Sequence, residues 1–203
     1  MYYIGLMSGT SVDAVDAALV EFDKKATLKL YNEYPLDISV KNQICQINEK
    51  SNLIDVAMLD KKLGYIFADA ANDLIKKTDI NSNQVAAIGS HGQTILHVPT
   101  IAEKTSIQIS DPNIICAETG ITVVADFRRM DMAFGGQGAP LASAFHKYQF
   151  KNNNKSTVIL NIGGFANITL LPCDKNETIG FDTGPGNTLL DCWIKQNKNK
   201  EYD

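Results

Sequence analysis

Tyr2-Tyr3-Ile4-Gly5-Leu6-Met7-Ser8-Gly9-Thr10-Ser11-Val12-Asp13-Ala14-Val15-Asp16-Ala17-Ala18-Leu19-Val20-Glu21-Phe22 opens the chain, and its division decides the fold. Residues 2–7 form a short apolar run that ends in Ser8-Gly9-Thr10-Ser11, a turn signal. Residues 15–22 resume with β-branched and apolar side chains. Residues 27–34 alternate, with Leu28 and Leu30 against Lys29 and Tyr31, and then meet Pro35. Three short strands in succession predict an antiparallel meander.

Outward from this start, helices are expected. Residues 40–47 read as one short helix. Val56, Leu59, Leu63, Ile66, Phe67, Ala70 and Leu74 recur at three- and four-residue steps. They predict one apolar stripe on a long helix, with Asp60, Lys61, Lys62, Asp69 and Asp73 on its solvated side. Residues 85–89 then read as a buried-type strand that Ser90-His91-Gly92-Gln93 breaks, and residues 121–125 as another. Strand, helix, strand in this order predicts parallel pairing with crossover helices. Gly135, Gly136, Gly138 and Pro140 mark residues 133–141 as a hinge or domain boundary, with a helix following to about 150. The opening layout then repeats. Residues 157–162 are a strand, Gly163-Gly164 a turn, and residues 166–171 and 178–181 two further strands, before a final helix near Thr188.

Bulk properties exclude several classes. The chain has 203 residues, 44% of them hydrophobic and 21% charged, which suits a folded soluble protein rather than a disordered one. Its net charge, 19 minus 23 or −4, argues against a nucleic-acid binder. No run approaches the length of a membrane span. Residues 1–5 lack a basic leader, and Cys45, Cys116, Cys173 and Cys192 are dispersed with no C-x-x-C pair. Together these predict a cytoplasmic address with four reduced cysteines. P-loop, zincin, dinucleotide and nucleophile-elbow motifs are absent.

What remains is a set of small-residue turns after strands. The stretch Gly9, Thr10, Ser11, Val12, Asp13, Ala14, Val15, Asp16 reads either as an ordinary hairpin turn or as a nest of backbone N–H groups for phosphate. Its two carboxylates suit a magnesium-bound phosphate better than a bare one. Gly163, Gly164 and Asn167 offer a second turn that would face the first. Asp182, placed at a strand end before Thr-Gly-Pro-Gly, reads as an Asx-type cap or as a general base in a crevice. His91 and His97 flank Gln93 and Thr94 and read as sugar-hydroxyl contacts or as structural residues. Arg128 either pairs a substrate carboxylate or bridges Asp126 or Asp131. His146 reads as structural.

Six blocks together resemble the anhydro-N-acetylmuramic acid kinase family. They are residues 4–13 (IGLMSGTSVD), 89–94 (GSHGQT), 126–131 (DFRRMD), 135–141 (GGQGAPL), 160–167 (LNIGGFAN) and 180–187 (GFDTGPGN), collinear along the whole chain. The resemblance implies an α/β protein of the actin-like sugar-kinase and heat-shock-ATPase superfold. Residues 1–132 would be the first lobe and residues 133–203 the start of a second, the N-terminal portion of a longer kinase. It implies that ATP with Mg²⁺ is the cofactor pair, with no fixed protein ligand to the metal. The reaction it implies opens the 1,6-anhydro ring of anhydro-N-acetylmuramic acid with water and phosphorylates O6, in peptidoglycan recycling. The ATP loop falls on residues 9–16 and the catalytic base on Asp182. Substrate contacts are expected from His91, Gln93, Asp126, Arg128, Gly184 and Asn187, and a homodimer is among the expected partners. The family commonly has glycine where Ala14 stands, which matters only if that position needs a positive φ.

Two other functions compete with this reading. One is a nucleotide- or sugar-binding sensor of the same fold without catalysis, which would bind ligand and release no ADP. The other is a glycosidase pairing Asp182 with Asp126 or Asp131, which would act without ATP.

Overall fold

In the computed structural model, which describes residues 1–100 and 104–200, the chain divides into two compact units, Met1–Gly135 and Gly136–Asp203. Residues 201–203 of the expected second lobe lie outside the described residues.

The first unit begins with β1 (Tyr2–Ser8), β2 (Ala14–Phe22) and β3 (Ala26–Pro35), paired antiparallel as a meander. Two helices follow, α1 (Ile38–Gln46) and α2 (Leu53–Lys76). The chain then returns to the sheet as β4 (Val85–Val98), which lies parallel to β1. Next come β5 (Thr105–Ile109), α3 (Pro112–Thr119), β6 (Val123–Ala125) and α4 (Phe127–Ala133). The sheet order is β3-β2-β1-β4-β5, and β6 pairs parallel with β4 at Ile88 to Ser90.

Side-chain periodicity explains why this unit closes. Ile4 and Leu6 on β1 and Val15, Ala17 and Leu19 on β2 alternate inward. They share one core with Leu59, Leu63, Phe67, Ala70, Ala71 and Leu74 of α2 and with Val40 and Ile44 of α1. Asn52 caps α2 by accepting from Ile54 N at 2.9 Å, and Asp37 caps α1 through Ser39 N at 2.8 Å. Gly120, at φ 69°, ends α3 in the left-handed conformation that glycine adopts without a Cβ penalty.

The second unit carries α5 (Ala142–Phe150), then β7 (Thr157–Ile162), β8 (Phe165–Leu171) and β9 (Ile179–Pro185) as a second antiparallel meander, then α6 (Asn187–Lys198). Thr169 and Leu171 are buried, and α5 lies on their face, where Ser143 Oγ and His146 Nδ1 are 3.2 and 2.9 Å from Thr169 Oγ1. The opposite face presents Val158, Leu160, Ile162, Ile179 and Phe181, all exposed. An antiparallel three-strand unit thus recurs in both units, and the mixed α/β architecture is the layout expected of the actin-like superfold.

Two strands run further than the sequence expectation. β4 does not end before Ser90-His91-Gly92-Gln93 but runs through it to Val98. The register against β1 steps from Leu6↔Ser90 to Met7↔Gly92, so His91 is the extra residue of a β-bulge that keeps the strand going. Likewise β9 extends to Pro185, which puts Asp182 inside a strand rather than at its end.

Candidate active site

The turn between β1 and β2 spans residues 9–13, closed by Val12 N donating to Gly9 O at 3.2 Å. Positive φ falls at Val12 (55°), a buried β-branched residue, and not at Ala14, which stands in β2 opposite Pro35. The missing glycine at position 14 therefore carries no backbone penalty, whereas Val12 is strained. Val15 is a core residue, so of the expected residues 9–16 the last three belong to β2 and Val15 points away from the turn's surface.

Both carboxylates of the stretch are engaged. Lys41 of α1 forms a salt bridge with Asp13. Asp16 accepts from the Tyr31 hydroxyl at 2.6 Å, and that hydroxyl also lies 2.7 Å from Glu33. These two acids, Asp16 most, push the Tyr31 phenol above its ordinary range. Lys41 and Tyr31 carried no sequence signal, because they lie on other elements and only folding brings them to the turn.

On β4, the bulge re-aims His91. Its Nδ1 lies 2.9 Å from Gly92 O, and Arg128 Nε on α4 donates to its Nε2 at 2.9 Å. The second bond requires a lone pair on Nε2, so the ring is neutral with its proton on Nδ1. Burial pushes the imidazole below its ordinary range; the Gly92 contact opposes that shift and the charge of Arg128 adds to it. Gly92 itself has φ 72°, and a Cβ there would stand 2.7 Å from Ile109 O, so the bulge excludes side chains at this position.

The next arginine along pairs the Asp126 carboxylate. Arg129 does so in bidentate fashion, at 2.8 Å (Nε to Oδ1) and 2.6 Å (Nη2 to Oδ2). Asp126, at φ 63°, precedes α4 and fixes where that helix starts. Gln93 is 2% exposed; its Nε2 donates to Thr94 O and its Oε1 has no partner. Ser8, its register partner on β1, and Ser90 are buried beside it with unpartnered hydroxyls, a polar underside that the sequence did not announce.

In the second unit, the ladder aligns Asn161 with Asn167 and Asn167 with Asp182. Register partners share a face, so these three side chains form one polar row across β7, β8 and β9. Asp182 is exposed. Asn161 was quoted in a motif without a role, and only the register assigns it to this row. The Gly163-Gly164 turn is tied to the start of α6: Gly186 N donates to Gly164 O and Asn187 N to Gly163 O, both at 2.8 Å. A Cβ on Gly186 would stand 2.4 Å from Gly163 O, so this junction requires glycine. Gly184 has φ 132° with open space around it, and Asn187 Nδ2 reaches Ile162 O at 3.5 Å.

The family model described as anhydro-N-acetylmuramic acid kinase matches residues 1–203. A curated anhydro-N-acetylmuramic acid kinase of Shewanella oneidensis is 50% identical over 205 residues, covering 100% of this chain and 56% of that protein. One of Coxiella burnetii is 50% identical over 204 residues, covering 99% and 55%. The chain spans about half the length of these relatives. Among solved structures, a ROK hexokinase from Thermus thermophilus is similar at 16% identity and a TM-score of 0.39, over 86% of this chain and 48% of that one. No helix among the described residues is long and apolar enough to cross a membrane.

Proposed function

The chain belongs to the anhydro-N-acetylmuramic acid kinase family, and from that membership we propose that it carries residues of an ATP-dependent kinase for anhydro-N-acetylmuramic acid, acting in the cytoplasm in peptidoglycan recycling. The observation that carries this reading is the family match over residues 1–203, which includes both the residue 9–16 stretch and Asp182.

Asp182 is the proposed general base. It takes a proton from water, whose oxygen forms the new bond to the anomeric carbon. The C1–O6 bond breaks, O6 bonds to the γ-phosphorus, and the bond from that phosphorus to the β-phosphate oxygen breaks to release ADP. The product is N-acetylmuramic acid 6-phosphate. O6 needs no external acid, because its electron pair goes to phosphorus. Asn161 and Asn167, in the row with Asp182, supply amide groups that orient the water and a sugar hydroxyl. The Thr10 and Ser11 hydroxyls and the turn's backbone N–H groups would receive phosphate. Arg128 would pair the lactyl carboxylate.

Magnesium asks for few protein ligands, keeping water and phosphate oxygens for the rest. Asp13 and Asp16 fit that demand as carboxylates bordering the turn, each already held by a neighbour, and no group of three or more ligating side chains is assembled among the described residues. When bound, the ion supplies charge neutralisation at the phosphates.

The test is isotopic. Turnover of the full-length gene product in ¹⁸O-water is expected to place the label on the anomeric hydroxyl of the sugar 6-phosphate at early times and none in its phosphoryl group. Label in inorganic phosphate, with none on the anomeric carbon, would mean direct attack of water on ATP and would contradict the coupled reaction.

A further inference from the structure

Left-handed backbone is an unfavourable setting for a valine. A β-branched side chain crowds its own backbone at positive φ, which is why glycine and asparagine usually fill such positions. Val12 nevertheless has φ 55° in the turn between β1 and β2. The strain has a visible counterpart in packing. The Val12 side chain is 5% exposed and belongs to the core that Ile4, Leu6 and Val15 share with α1 and α2. With both ends of the turn fixed in the sheet, a negative φ at position 12 would lift that side chain from its seat. The backbone around it is pinned as well. Val12 N donates to Gly9 O at 3.2 Å, Leu36 N donates to Asp13 O at 2.8 Å, and the Asp13 carboxylate meets Lys41. At the tip, Thr10 and Ser11 are exposed, and among the described residues neither makes a hydrogen bond.

We propose that Val12 is a positioning residue for phosphate: its side chain, seated in the core of the first unit, holds the backbone at positive φ and so keeps the Thr10 and Ser11 N–H groups preset as donors to the phosphates of a nucleotide. The ligand class, a nucleoside triphosphate, rests on the function proposed above. Successive N–H groups held in a turn form an anion site, and holding them before the ligand arrives removes the entropy of ordering the loop from the binding step. A glycine at position 12 would reach the same φ without strain, but nothing would keep it there. The valine is kept there by its packing.

Two measurements on the full-length gene product test this. NMR backbone couplings and chemical shifts without nucleotide are expected to report a positive φ at Val12. Steady-state kinetics then compares three variants. Val12→Ala and Val12→Gly, which both vacate the seat, are expected to raise KM for ATP by on the order of tenfold, the loss of about one hydrogen bond to a charged group, with KM for the sugar within about twofold. Val12→Ile, which keeps a β-branched apolar side chain in the seat, is expected to hold KM for ATP within about twofold. A residue that served core packing alone would lower the folded fraction, and with it the apparent kcat, and leave KM for ATP where it was.

A negative φ at Val12 in the unsubstituted protein overturns the proposal. So does an unchanged KM for ATP in Val12→Ala, full retention in Val12→Gly, or an equal rise for ATP and sugar. Should the unsubstituted protein turn over no ATP with the sugar present, the proposed function fails and the phosphate role of Val12 falls with it; turnover that the variants leave unchanged removes Val12 alone.

Discussion

Asp182→Asn is expected to abolish ring opening and phosphorylation together, each falling by about 10²–10⁴-fold, the range that a positioned general base supplies. Asparagine keeps the size and the hydrogen-bonding oxygen of aspartate but cannot accept the water proton. The side chain is exposed on β9, so the thermal midpoint is expected to hold. Product analysis by mass spectrometry on the full-length gene product checks both halves of the reaction at once. Ring opening that persists without phosphorylation would separate the two steps and remove Asp182 from the role of shared base. A glycosidase pairing with Asp126 is weakened on independent grounds, because that carboxylate is committed to Arg129.

The largest expected effect on stability lies at Phe67. It is 0% exposed on α2, among Leu63, Ala70, Ala71 and Leu74, against the inward side chains of the first sheet. Phe67→Ala leaves a cavity that surrounding helix and sheet cannot fully collapse, and is expected to cost about 3–5 kcal/mol. Against a total of about 5–15 kcal/mol for a typical domain, that is a large fraction of the stability of the first unit. Urea unfolding followed by circular dichroism measures it, and a loss below about 1 kcal/mol would mean that α2 does not close this core.

Periodicity made the first meander and α2 legible. Residues such as Ile4, Leu6, Val15, Ala17 and Leu19 alternate, while Leu59, Leu63, Phe67 and Leu74 follow the helical step, and burial confirms both patterns. The continuation of β4 was not legible, because Gly92 reads as a turn unless the bulge and its partner strand β1 are known. For the same reason Asp182 looked like a strand end: Thr-Gly-Pro-Gly signals a turn, yet β9 keeps pairing with β8 as far as Pro185. β5 escaped because its burial runs against its polarity, with Ser106 buried and Ile107 exposed.

Within the site, residue types were readable and partners were not. The choice between Arg128 and Arg129 for Asp126 depends on helix geometry, since residues three apart on α4 and its cap lie together while Arg128 turns toward β4. Lys41 reaches Asp13 across 28 positions, and Tyr31 reaches Asp16 across 15, separations at which no local pattern survives. Gln93 was readable as a polar residue of the 89–94 block and as a candidate substrate contact, but its burial depends on β4 continuing past the bulge beside it.

The central claim is sugar-dependent phosphoryl transfer, and the most direct measurement is ADP release from the full-length gene product with Mg-ATP, in the presence and absence of anhydro-N-acetylmuramic acid. The account predicts ADP only when the sugar is present, in equal amount with the sugar 6-phosphate. Sugar binding without ADP release would identify a sensor, and ring opening without ATP a hydrolase; either would contradict it.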